Sequence, residues 1–177
     1  MKTKNIKLIS IILAFIFSFF AHFTYEWFPN VFTSILFPIN ESVWEHMKII
    51  YISIILASIV EYIIYKKKDI KVNNFSISIP SVSIIGIILY LAIYYPIEIV
   101  FGHNLIISII LLFIIYIICE VISYYILKSP KIKYQNTIGI ILIIISYIVF
   151  AYLTYNPPKI PLFIDPQNNT YGIQKEE

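Results

Sequence analysis

Three long stretches of this chain, Leu8 to Tyr25, Val72 to Ile97 and Tyr134 to Pro158, contain no charged side chain. A helix needs about 20 mostly apolar residues to cross roughly 30 Å of hydrocarbon. Inside lipid every peptide group must be satisfied within the segment or in a closed barrel, so apolar runs of this length point to membrane helices. Two more runs are nearly as apolar, each with one acid in its interior, Glu61 and Glu120. Composition agrees: 13% of residues are charged and 59% hydrophobic, where a soluble domain carries about 25% charged. The expected fold is an all-α integral membrane protein with about five transmembrane helices, near residues 8–25, 43–65, 79–97, 104–127 and 137–155. These form a single membrane domain, 1–177, ending in an extracytoplasmic tail over 156–177.

The connections carry their own signals. Trp27 to Ile39, bracketed by Pro29 and Pro38, is too apolar for a free loop and too short to span, so an interfacial or re-entrant segment is expected there. Ser42, with Glu45 three residues on, has the capping-box pattern and starts the second span. Pro96 is expected to distort or end the third. The proline-rich stretch after Asn156 is expected to be extended or turned. Lys2, Lys4 and Lys7 precede an apolar run without a small-residue cleavage signal, so this segment is read as the first span and not as a removable signal. Cys119 has no second cysteine to pair with.

Orientation follows from the lysines. On a five-span path, Lys2, Lys4, Lys7, Lys66, Lys67, Lys68, Lys71, Lys128, Lys131 and Lys133 fall on one side, and only Lys48, Lys159 and Lys175 on the other. Basic residues mark the cytoplasmic side, which predicts the N-terminus inside and the C-terminus outside.

On that threading the polar residues gather at the outer face. His22 and Glu26 close the first span and share one helix face, being four residues apart. Asn40, Glu41, Glu45, His46 and Lys48 open the second, His103 and Asn104 lie in the turn before the fourth, and Asp165 lies in the tail. Imidazoles and carboxylates converging at a helix rim are the ligand set of zinc or iron sites. His22, Glu26 and His46, with His103 as a further ligand, could hold such a divalent metal. An ion, a lipid headgroup or a protein partner could bind at Asn40, Glu41, Glu45, His46, Lys48 and Asp165. A plainer account also exists: Glu45 closes the capping box, and Glu41 favours the positive end of a helix dipole. The intramembrane acids Glu61 and Glu120 must face the bundle, find a partner or stay protonated, because a bare carboxylate in hydrocarbon is costly.

Two motifs, Pro38-Ile39-Asn40-Glu41-Ser42-Val43-Trp44-Glu45-His46-Met47-Lys48 and Pro161-Leu162-Phe163-Ile164-Asp165-Pro166 with Thr170-Tyr171-Gly172-Ile173, carry a resemblance. The chain resembles a family of uncharacterised bacterial multi-pass membrane proteins with a PVNESVWEHLK-type segment and a PLFxDP…TYGI ending. The resemblance implies a bacterial cytoplasmic (plasma) membrane location and supplies no mechanism. Three functional classes follow from the residues. The first is a membrane protein without enzymatic activity that binds an ion, lipid headgroup or partner at the outer cluster. The second is a membrane-embedded metal-dependent hydrolase acting at the outer leaflet, with Glu41 or Glu45 as general base. The third is a small transporter component using Glu61 and Glu120. Four glycines form no phosphate-binding loop and the lysines serve topology, so nucleotide and nucleic-acid binding have no support.

Overall fold

The computed structural model describes residues 2–102 and 104–173. Five of its helices are long and apolar enough to cross a membrane: α1 Thr3–Trp27, α3 Val43–Lys67, α4 Phe75–Phe101, α5 Leu105–Lys128 and α6 Gln135–Tyr155. A short helix, α2 Val31–Leu36, lies between the first two, in the segment expected to be interfacial. After α6 come a single 3₁₀ turn, Pro161–Phe163, and two two-residue strands, β1 Ile164–Asp165 and β2 Thr170–Tyr171, paired antiparallel.

Local chemistry starts these helices where the residues dictate. Asn30 accepts hydrogen bonds from the Phe32 and Thr33 amides while Thr33 Oγ1 accepts from the Asn30 amide, a reciprocal cap that lets six residues stand as a helix. Asn104 Oδ1 caps α5 through the Ile107 amide. Ser42 caps α3 through the Glu45 amide at 3.3 Å, but only this half of the expected capping box forms, because the Glu45 side chain is used elsewhere.

Pro96 neither ends nor bounds its helix: α4 runs through both Pro80 and Pro96 to Phe101. In lipid, ending a helix exposes several peptide groups, whereas a proline removes one hydrogen bond. The bond missing at Pro80 leaves the Ser76 carbonyl without its helical donor, and Gly139 of α6 packs on that group. A Cβ at Gly139 would stand 2.3 Å from the Ser76 oxygen, so glycine is what permits this close approach. Small residues at helix contacts are the usual device where lipid offers no hydrophobic drive between helices.

Consecutive long helices run antiparallel, as contacts at both ends show. Lys7 near the start of α1 meets Glu61 and Glu120 near the ends of α3 and α5. At the other end His22 of α1 meets His46 at the start of α3. α1 packs on α3 and α5, and α4 lies against α3, α5 and α6. Ile50, Ile54, Ala57, Val82, Ile115 and Tyr116 form the centre of the core. At the lysine-rich end, buried Asn74 adopts the left-handed conformation (φ 55°) and bonds to Ser129 Oγ and to the Ile126 and Pro130 carbonyls. It also accepts from the Ile132 amide, tying two loops together.

Candidate functional site

Of the polar residues expected at one rim, His22, Glu41, Glu45, His46 and Lys48 lie near the head of α3, where they sort into two arrangements. One is closed. Lys48 Nζ donates to Glu45 Oε2 at 2.6 Å, to Thr154 Oγ1 of α6 at 2.5 Å and to the Ser34 carbonyl of α2 at 2.7 Å. Glu45 Oε2 also accepts from the Ile39 amide at 3.0 Å, and Thr154 donates to Glu45 Oε1 at 3.2 Å. Both side chains are buried, 0% exposed for Lys48 and 3% for Glu45. A charged pair with its remaining hydrogen-bonding capacity met is what a dry site requires. This network pins α2 and α6 to α3.

The other arrangement is open. His46 Nε2 lies 3.3 Å from His22 Nε2, and Glu41 Oε2 lies 3.4 Å from the first and 3.7 Å from the second. The side chains are 20%, 31% and 34% exposed for His46, His22 and Glu41. His46 Nδ1 stands 2.9 Å from the Ser42 carbonyl, a contact that fits a proton on Nδ1 and aims Nε2 at the cluster, where it donates to Glu41 while protonated and offers a lone pair to a metal once that proton leaves. A histidine oriented by a backbone carbonyl in this way is the usual support of a metal ligand. Hydrogen bonds from His22 first, and from His46, hold the Glu41 carboxyl well below the usual carboxylate range, so it is ionised and available as a ligand.

Among the described residues, His22, Glu41 and His46 are the group whose ligand atoms lie close enough to share one metal ion. Glu26, the carboxylate expected beside His22, is exposed and not in this group. Glu41 reaches the histidines from the turn before α3 instead. His103 lies outside the described residues. Asn40 and Asp165 act on the backbone: Asn40 Oδ1 accepts from the Ser42 amide at 3.0 Å, and Asp165 accepts from the Gln167 amide at 2.9 Å and from Asn168 Nδ2 at 3.2 Å. The tail packs back on this rim. Phe163 is buried and stacks on Trp44 with ring centroids 5.1 Å apart, and Asn40 Nδ2 donates to the Gly172 carbonyl at 3.5 Å.

The open cluster stands in the wall of a groove of about 440 Å³, whose apolar part includes Phe15, Phe19, Ile109 and Leu112 and whose polar part includes Ser108 and Gln167. Sequence reasoning gave Ser108 and Tyr90 no role and read Gln167 as a turn residue. Tyr90 and Ser108 hydrogen-bond at 2.5 Å in the same groove, and nothing in a lone Ser or Tyr of an apolar helix signals that pairing.

At the opposite end, Lys7 Nζ stands 2.8 Å from Glu61 Oε2 and 2.9 Å from Glu120 Oε2, and donates to Ser123 Oγ at 2.7 Å. Ser10 donates to Glu120 Oε1 at 2.9 Å. The intramembrane acids thus share a lysine that charge counting had assigned to topology alone.

Five membrane-length helices around two buried ionic networks define a multi-pass integral membrane protein. Residues 1–173 match the family of unknown function DUF6512, and the chain belongs to that family. Comparison with curated proteins and with solved structures gives no match.

Proposed function

We propose that this protein binds a divalent transition metal of the zinc type through His22 Nε2, His46 Nε2 and one Glu41 oxygen, and presents it to an amphiphile lying in the adjoining groove. The observation that carries the reading is the triangle of ligand atoms. Zinc bonds of about 2.0–2.2 Å to nitrogen and oxygen, at tetrahedral angles, put neighbouring ligand atoms roughly 3.3–3.5 Å apart. The observed edges are 3.3, 3.4 and 3.7 Å. Softness of the donors points the same way, since imidazole with carboxylate suits zinc and iron better than calcium or magnesium. With the lysine-rich end in the cytoplasm, as the positive-inside rule requires, the metal rim faces the outer leaflet of a bacterial plasma membrane.

Metal content of the detergent-purified protein tests this. One zinc or iron per chain in the wild type, lost in His46→Ala, is the expected result. Absence of metal after zinc loading removes the proposal and leaves a histidine–carboxylate hydrogen-bonded cluster.

A hydrolase is the second reading, favoured by the ligand number. Three protein ligands leave a fourth position for water, the arrangement of catalytic rather than structural zinc, and a bound metal lowers the pKa of that water to about 7. Glu41 is then a ligand and Glu45 is held by Lys48 and Thr154, so neither serves as the general base. Glu98, which lines the recess beside Glu41 and His46, takes that role in this reading. Fatty-acid release from a single-chain acyl ester, stopped by chelator and restored by zinc, would support it. Zinc-loaded protein with no such release returns the site to binding alone.

A further inference from the structure

The Lys7–Glu61–Glu120 cluster holds two carboxyl groups against one ammonium, with side chains 2–7% exposed. If all three are charged, one negative charge is left over in a bundle surrounded by lipid. The neighbours do not cancel it. From α1 come Lys4 at the surface and Ser10, from α3 the buried Tyr65, and from α5 Ser123 and Tyr124. The only charged side chain of α4, Glu98, sits at its other end, and α6 has none. Glu61 Oε1, in a side chain that is 2% exposed, has no hydrogen-bond partner. A second observation shows how a ligand could reach the site. A cavity of about 360 Å³ borders Lys7 and Glu120, with Lys4 and Tyr124 as polar walls and Leu8 and Ile11 among its apolar ones.

We infer that Lys7, Glu61 and Glu120 form a proton-binding site open to solution at the lysine-rich end, holding one exchangeable proton on the carboxyl pair. One carboxylate takes a proton from hydronium and releases water, so the cluster goes from net −1 to neutral. The second carboxylate remains paired with the Lys7 ammonium. Two carboxylates within reach of one another cannot both stay ionised cheaply, and hydrocarbon raises that cost. The proton is the ligand that fits a gap between a lone carboxylate oxygen and its neighbours, where a metal ion would meet the Lys7 charge. This site is independent of the metal at the opposite rim.

Infrared spectroscopy of the full chain in lipid nanodiscs, without added metal, tests the inference through the C=O stretch of a protonated carboxylic acid. Wild type at neutral pH should show one such band, shifting in D₂O. Glu61→Gln and Glu120→Gln, each checked for native helicity, should both lack it, because one carboxylate then balances one lysine. Lys7→Met, which removes the counter-charge, should strengthen it. No band in the wild type, a band that survives in both glutamine variants, a band that never exchanges with D₂O, or a band abolished by sodium each overturns the proposal. The wild-type spectrum decides even if a variant fails to fold.

Discussion

Glu41, Glu45, His46 and Lys48 lie within eight residues at the head of α3, yet they end in opposite environments. Glu45 and Lys48 point into the bundle, where α2, α6 and the Ile39 amide complete their hydrogen bonds. Glu41 and His46 point towards α1 and a groove, where, among the described residues, His22 joins them in a group whose ligand atoms are close enough to share one metal ion. The difference teaches that a polar motif at a membrane rim need not be one site. The fully satisfied half ties α2 and α6 to α3, and the other half is left partly exposed, where the proposed metal would sit.

The sharpest way to break this division is Lys48→Met. Removing one partner of a buried pair leaves the other charge uncompensated, which costs about 3–5 kcal/mol. The variant should unfold far earlier in denaturant titrations in micelles, and the double variant Glu45→Leu/Lys48→Met should recover much of the loss. If Lys48→Met is as stable as the wild type, the closed network is not structural.

The tail offers a second cut, because it touches both halves. Phe163 stacks on Trp44, the neighbour of Glu45 in α3, while Gln167 reaches the groove. Phe163→Ala removes a buried ring, a change that costs about 3–5 kcal/mol in a well-packed core and nearer 3 here, where the ring covers a bundle end. Trp44 fluorescence should shift to the red, and protease should cut the segment after Tyr155 sooner. Unchanged fluorescence would mean that the tail does not hold this position.

How far was this legible in the sequence? Helix number and approximate bounds followed from the charge-free runs, since lipid allows few other solutions. The limits of α4 were not legible, because the rule that proline ends a helix is learned in water and yields to the cost of bare peptide groups in hydrocarbon. The nearness of His22 to the head of α3 was legible, as both fall at the same end of a five-span path. The partition among the residues there was not. Spacing favoured Glu26, four residues from His22 on one helix face, whereas the turn in which Asn40 accepts from the Ser42 amide brings Glu41 to the histidines. The ion pairs of Lys7 were missed for a related reason. A lysine near a helix end counts for topology whether it snorkels or turns inward, and the serine and two acids that draw it inward lie 54 to 116 residues away along the chain.

Metal binding sharpens the comparison from the other side. A ligand that binds only the folded state stabilises it by about 2.7 kcal/mol at a hundredfold excess over Kd. Zinc should therefore raise the unfolding midpoint of the wild type by that order. In Glu41→Gln and His46→Ala the rise should be absent, with helicity unchanged. Acidification should erase the wild-type effect, since the imidazole lone pairs must be free of protons to bind. A zinc-dependent rise that persists in both variants would place the metal elsewhere.

The smallest effect is the most specific to the open half, and it concerns the metal-free protein. Glu41 is held below the ordinary carboxylate range by hydrogen bonds from His22 and His46. A depressed carboxyl contributes stability that is fully present above its unfolded pKa and is lost as pH falls through the folded one. Its side chain is 34% exposed, so solvent screens the interaction to about 0.2–1 kcal/mol, as in other exposed pairs. Glu41→Gln should therefore destabilise the metal-free protein by that small amount at neutral pH. The difference should persist until the pH drops below the ordinary glutamate range and then vanish. The contrast lies with Lys48→Met, whose large deficit comes from desolvation in the bundle and should already be complete at neutral pH. If the Glu41→Gln difference instead grows on acidification, the carboxyl is not ionised against the histidines, and the open cluster lacks the charge that a metal would need.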